Sequence, residues 1–302
     1  MTARPERVPA EEVRQRMLDA GRELAEEVGA ALTIEHLRLE EVIQRARVPR
    51  SSVYRMWAYR EDYIDDLLVY LAGSGSWFRE RPVLDPRTFD AVGQILGDNA
   101  ALLATPAGRR ALLCEIVRVV ATHNYATLTD SVQWRLRMAL IATLGSTRGT
   151  TARQRIAAAL GDSQRAARES MVAILGQLSA VLGLRLRDPA YTLDHVQLAG
   201  GLFIQSLAMR NVQVQAALAT PDGELAAPGP AAPGPAGPGP GPAGAELTGA
   251  ADATVVDGLL NVSIPGPGLH GEPTEWSLAA LGYLGVLDAF FELDPDFKPP
   301  AG

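Results

Sequence analysis

The stretch LEEVIQRARVPRSSVYRMW, residues 39–57, decides the fold. A short helix with apolar residues at helical spacing ends near Ala46, Val48 sits in a tight turn, and a second helix begins near Arg50. That second helix turns Val53, Met56 and Trp57 to one side, which marks its buried face. Two short helices joined by so tight a turn have helix-turn-helix spacing.

At about 100° per residue, a helix that buries Val53, Met56 and Trp57 turns Arg50, Ser51, Tyr54 and Arg55 outward. In a helix-turn-helix the second helix lies in the major groove and offers its N-terminal residues to base edges. The outward side chains suit that role, since arginine reads guanine edges, and serine and tyrosine hydroxyls meet phosphates or bases. Ser52 lies beside them. Charge is focused on the same stretch, because residues 36–60 hold six arginines (38, 45, 47, 50, 55 and 60) against Glu40 and Glu41, while the whole chain carries a net charge of -7. An acidic body with a basic head binds phosphate locally and disfavours non-specific DNA.

Working outward, the residues from about 13 to 68 resemble the N-terminal DNA-binding domain of the tetracycline-repressor (TetR) family of one-component bacterial regulators. RQRMLDAGRELAEEVGA resembles the family's first helix, VIQRARVPRSSVYRMW its helix-turn-helix, and AYREDYIDDLL its lead into helix four. Arg60 stands where the family often places a phosphate-contacting lysine. Arg47 occupies a turn position the family usually fills with glycine, and Pro49 replaces the usual capping hydroxyl. The resemblance implies a DNA surface of Arg47, Arg50, Ser51, Ser52, Tyr54, Arg55 and Arg60, with Arg47 and Arg60 on phosphates. It further implies a homodimer on a palindromic operator in double-stranded DNA, released by a small-molecule effector bound to a variable helical C-terminal domain.

The expected fold is therefore all-α: an N-terminal three-helix DNA-binding domain over 1–62, then a larger helical ligand-binding and dimerisation domain over 63–219. Helices are expected near 10–28, 34–46, 50–57, 61–79, 86–103, 106–123, 129–146, 150–182 and 189–218. Asp85-Pro86, Thr105-Pro106 and Asp188-Pro189 each place a cap residue before proline at a first helical position. Residues 228–245 contain only Ala, Pro and Gly in irregular order, so 220–273 reads as a flexible linker. A last helix over 274–294 is expected to pack on the second domain. Its Ala279, Gly282, Gly285 and Ala289, with Ala199, Gly200 and Gly201 of the 189–218 helix, leave room for close helix approach across a dimer interface.

Signs of other chemistry are scarce. Cys114 is the single cysteine and the four histidines lack metal-site spacing, so neither a disulfide framework nor a metal site is expected. No phosphate loop, nucleophile elbow or paired-carboxylate helix face occurs, so an enzyme is not expected, and neither is a cofactor. Cys114, Arg118, His123, Tyr125, Trp134, Met138 and Phe203 are the candidates to line an effector cavity, since such cavities are mostly apolar with a few placed polar groups. No apolar stretch reaches the length of a membrane span, and the opening residues are no signal peptide, which points to a cytoplasmic protein without a membrane partner. The competing reading is a helical ligand-binding protein or enzyme that shares only the N-terminal helices.

Overall fold

The computed structural model describes residues 9–28, 37–73, 85–144, 149–219 and 249–298. They are mostly helical, with four short strands among them. The chain divides into two compact units, Met1–Pro86 with Asp130–Leu175, and Arg87–Thr129 with Gly176–Gly302.

In the first unit, α1 (Ala10–Val28) buries Val13, Met17 and Leu24 at helical spacing. Helices α2 (Leu39–Ala46) and α3 (Arg50–Met56) pack on it, and α4 (Arg60–Ala72) closes the group with Tyr63 and Leu67. Helices α7 (Val132–Thr143) and α8 (Thr150–Leu182), the latter belonging to this unit as far as Leu175, add Leu140, Ile156 and Leu160 to the same core. Each fully buried side chain of this size is worth roughly 1.5–3 kcal/mol. Gly21 permits the close approach of α1 and α4, because a Cβ there would collide with the Tyr63 hydroxyl and with Leu67. The Tyr63 hydroxyl donates to the Met17 carbonyl at 3.0 Å, and burial pushes this phenol well above the usual tyrosine range.

The second unit holds α5 (Pro86–Asp98) from its second residue on, a 3-10 turn (Ala100–Ala104) and α6 (Pro106–Asp130), which except for its last residue belongs here. There follow β1 (Leu184–Leu186), α9 (Leu193–Ala219), α10 (Gly249–Leu260), β2 (Ser263–Pro267), β3 (Pro273–Ser277), α11 (Leu278–Phe290) and β4 (Phe291–Leu293). Strand β1 pairs antiparallel with β4, and β2 with β3. Ala121, Ile204, Trp276, Ala279 and Ala280 form the core between α6, α9, β3 and α11. Gly183, at φ +60, ends α8, and the Phe297 ring lies against it.

Several expectations hold to the residue. Helices α1 and α8 occupy the predicted 10–28 and 150–182, and Pro86 and Pro106 open their helices, the second capped by Thr105 Oγ1 accepting from the Gly108 amide at 3.0 Å. Helix α6 runs to Asp130, beyond the expected 123. Asp188-Pro189 instead makes a turn, with Asp188 Oδ1 accepting from the Ala190 amide at 2.8 Å, and α9 starts at Leu193. The largest correction concerns the linker. Within 220–273, residues 249–260 form α10 and residues 263–267 form β2, paired with β3 across a turn in which Gly271 takes φ +89. Proline and glycine there serve a hairpin, not a mobile arm: Trp276 anchors it by burying its ring and donating to the Pro267 carbonyl at 3.3 Å. Residues 220–248, with the whole Ala/Pro/Gly tract, lie outside the described residues, as do the expected extensions of helices over 34–36 and 74–79.

Two of the glycines expected at a dimer interface are filled from within the chain. The Tyr283 ring of α11 sits against Gly200 of α9, and the Phe203 ring of α9 sits against Gly282 of α11, while among the described residues no atom lies close to where a Cβ would stand on Gly285.

Candidate nucleic-acid interface

Helix α2 ends at Arg47, whose φ of 52 and ψ of 46 place it in the left-handed region. A non-glycine residue there costs about 1 kcal/mol, and the reversal it makes is what lets α3 follow after only Val48 and Pro49. Val48 is buried, and Pro49 presets the extended backbone before α3. Helix α3 then buries Val53 completely and Trp57 at 3% exposure, with Met56 half-buried. That leaves Arg50, Ser51, Tyr54 and Arg55 exposed, with Ser52 at the margin. Arg47 is exposed beside them.

The seven expected DNA-facing residues fall into distinct classes. Arg47 and Arg55 have no carboxylate partner among the described residues, nor has exposed Arg38 at the start of α2. Arg50 forms an ion pair with Glu40, to which the Tyr54 hydroxyl also donates at 2.8 Å. The Arg50 guanidinium, and after it the Tyr54 hydroxyl, holds the Glu40 carboxyl below the usual carboxylate range. Arg60 differs: its Nε and Nη2 donate to the Leu37 carbonyl at 3.2 and 3.0 Å, so the guanidinium staples the segment before α2 to the start of α4. Arg45 faces the other way, bidentate to Glu27 of α1 at 2.7 and 2.8 Å. Of the six arginines that make the stretch basic, one is spent on α1 and one on a backbone carbonyl.

Behind the exposed face lies a polar hub that sequence reasoning missed. Asp66 of α4 accepts from Trp57 Nε1 at 3.1 Å and from Arg155 of α8 at 2.7 Å, with Arg14 of α1 at 3.4 Å. Burial alone would raise the Asp66 carboxyl. The hydrogen bonds from Arg155 and Trp57, with the charges of Arg14 and Arg155, outweigh it and hold the group below its ordinary value. The Trp57 ring meets Tyr63 edge-on at 5.2 Å between centroids. The end of α3 is thus locked to α4, α1 and α8. A cavity of about 190 Å³ on the outer side, lined by Ala10, Val13, Ser52, Arg55 and Met56, is smaller than the roughly 300–1,000 Å³ of small-molecule sites.

The candidate effector residues divide between the units. Trp134 and Met138 belong to the first, where Trp134 is buried with its Nε1 unpartnered among the described residues. Cys114 and Phe203 each pack, partly buried, against the core of the second. Arg118 lies along α6 in a bidentate pair with Glu115 at 2.6 and 2.8 Å, and exposed His123 has Nδ1 3.5 Å from the Thr88 hydroxyl. Tyr125 packs on the same core with its hydroxyl buried and without a hydrogen-bond partner among the described residues. No family model matches the chain, and no curated protein matches it either.

Proposed function

We propose that the protein is a DNA-binding transcriptional regulator of the tetracycline-repressor kind, acting in the cytoplasm as a homodimeric repressor of a palindromic operator. One observation carries the reading: α2 and α3 are joined by three residues through a left-handed Arg47, and α3 buries Val53 and Trp57 while exposing Arg50, Ser51, Tyr54 and Arg55 together. A helix held in that way offers its outer face to the major groove. Arg47 and Arg55 serve as phosphate anchors, and Arg50 and Tyr54 face base edges.

Dimerisation follows from specificity, since a single reading helix touches few bases and a two-fold pair reads two half-sites about 34–36 Å apart. Leu198 and Leu202 of α9, each 57% exposed and four residues apart, favour that helix face as the place where a second copy docks. The effector is a small apolar or amphipathic molecule, and the Tyr125 hydroxyl, without a hydrogen-bond partner among the described residues and in the core to which Phe203 and Trp276 also belong, gives such a molecule a polar handle. Binding there shifts the population between spacings of the two reading heads.

Selection of bound duplexes from a random pool, followed by footprinting, tests the reading. The expected result is a palindrome with two protected half-sites one helical turn apart. Failure to enrich any sequence sinks it.

A further inference from the structure

Glu40 stands in the first turn of α2, and two side chains of α3 converge on it. Arg50 pairs with Oε2, and the Tyr54 hydroxyl donates to Oε1 at 2.8 Å. Arg50 and Tyr54 are four residues apart, hence on one face of α3. A single carboxylate on the supporting helix therefore ties together two neighbouring side chains of the exposed helix. Arg50 and Tyr54 are exposed and the Glu40 side chain is 43% exposed; ion pairs so open to water add little to folding stability, so the arrangement is not explained by holding α2 to α3. Arg38, Arg47 and Arg55, close by in sequence, carry their charge without a carboxylate partner among the described residues.

We infer that Glu40 is a specificity-determining residue, which holds Arg50 and Tyr54 as one base-reading unit and keeps that unit off the phosphates. The inference rests on the DNA-binding reading above. An untethered arginine on the outer face of α3 meets any phosphate within reach, and such contacts are the same on every sequence. With Glu40 offsetting its charge, Arg50 loses most of that indiscriminate attraction. It keeps N–H donors, because a guanidinium has five and the ion pair engages Nη2. Those remaining donors suit the O6 and N7 acceptors of a guanine, whose recognition depends on direction more than on net charge. Tyr54, fixed by the same carboxylate, is held beside it. The surface thereby separates two roles, with Arg47 and Arg55 supplying sequence-independent attraction and the tethered pair supplying discrimination.

The test uses the full chain and compares its affinity for the selected duplex with that for a random duplex of equal length, over a range of salt. Glu40→Gln releases one positive charge at the interface. It is expected to tighten binding to random DNA, to steepen the dependence of log affinity on log salt by about one unit, and to lower the ratio of specific to random affinity roughly tenfold. Tyr54→Phe removes a hydroxyl without altering charge, and is expected to lower the ratio while leaving the slope unchanged. A ratio that neither variant lowers overturns the inference, whatever the slope does. A native chain that binds no duplex at any salt overturns the regulator reading first, and the role of Glu40 falls with it.

Discussion

At the scale of single residues, Trp57 serves the first unit twice, since its ring fills the core against Tyr63 and its Nε1 engages the Asp66 carboxylate. Trp57→Ala removes both and is expected to cost about 3–5 kcal/mol. Trp57→Phe keeps an aromatic ring and loses a hydrogen bond to a charged acceptor, worth about 1.5–3 kcal/mol. Urea unfolding of the two variants checks the order: an unchanged Trp57→Phe would mean that the indole N–H contributes nothing, and equal losses would mean that the ring contributes nothing. Asp66 also makes a pH prediction. Its folded carboxyl titrates below the unfolded one, so its stabilising contribution is complete above the unfolded value near about 3.9 and is lost as pH falls through the folded value. Asp65, which burial pushes upward, acts in the opposite sense. The native chain should therefore lose stability below about pH 4 more steeply than Asp66→Asn, and parallel curves would remove Asp66 from the account. On the exposed face, Arg50→Ala is expected to cost about 1–3 kcal/mol of binding and relax preference at one base position, whereas Arg55→Ala is expected to weaken selected and random DNA alike. Equal losses on selected and random DNA for Arg50→Ala would assign that arginine to a phosphate.

Between elements, the decisive contacts are rings set against glycines. Phe203 covers Gly282 and Tyr283 covers Gly200, so α9 and α11 interlock twice, each helix lending a ring and a gap. A methyl group at Gly282 would overlap the Phe203 ring, and interiors at native density do not yield cheaply. Gly282→Ala is expected to destabilise the second unit by about 1–3 kcal/mol, with the first unit unaffected. Melting followed by Trp276 fluorescence reads the second unit, and an unchanged midpoint would show that the two helices separate without cost. Helix α11 is thus part of the second unit's own core, and its removal is expected to expose Ile204 and Phe203 rather than merely to free a dimer surface.

For the whole molecule, association should reside on a face the chain does not itself cover. Leu198 and Leu202 lie on α9 one turn apart, and Val255 and Leu259 repeat that spacing on α10 at 63% and 62% exposure. Leu202→Glu places a charge in the proposed two-fold contact, where burial without a partner is costly. Light scattering is expected to show a dimer for the native chain and a monomer for the variant, with affinity for the full palindrome falling far more than affinity for a half-site. A variant that remains dimeric would move the interface elsewhere.

The sequence alone determined what depends on short-range signals. Apolar period and proline at a first helical position placed α1, α8 and the starts of α5 and α6, because each follows from torsions and spacing within a few residues. The same locality told that Val53 and Trp57 turn inward and Arg50, Tyr54 and Arg55 outward. Only the tertiary structure decided the partners. Arg45 on Glu27, Arg60 on the Leu37 carbonyl and Glu40 on both Arg50 and Tyr54 are choices among many charged and polar groups, made by through-space distance after α1, α2 and α4 have packed. The same holds for the hairpin of β2 and β3, whose prolines and glycines read as a linker until Trp276 finds a core to enter, and for Gly200 and Gly282, whose open faces look alike whether a ring of the same chain or a second copy fills them. Local signals fix backbone conformation; the side chain that fills a gap or meets a charge is fixed by which segments come together.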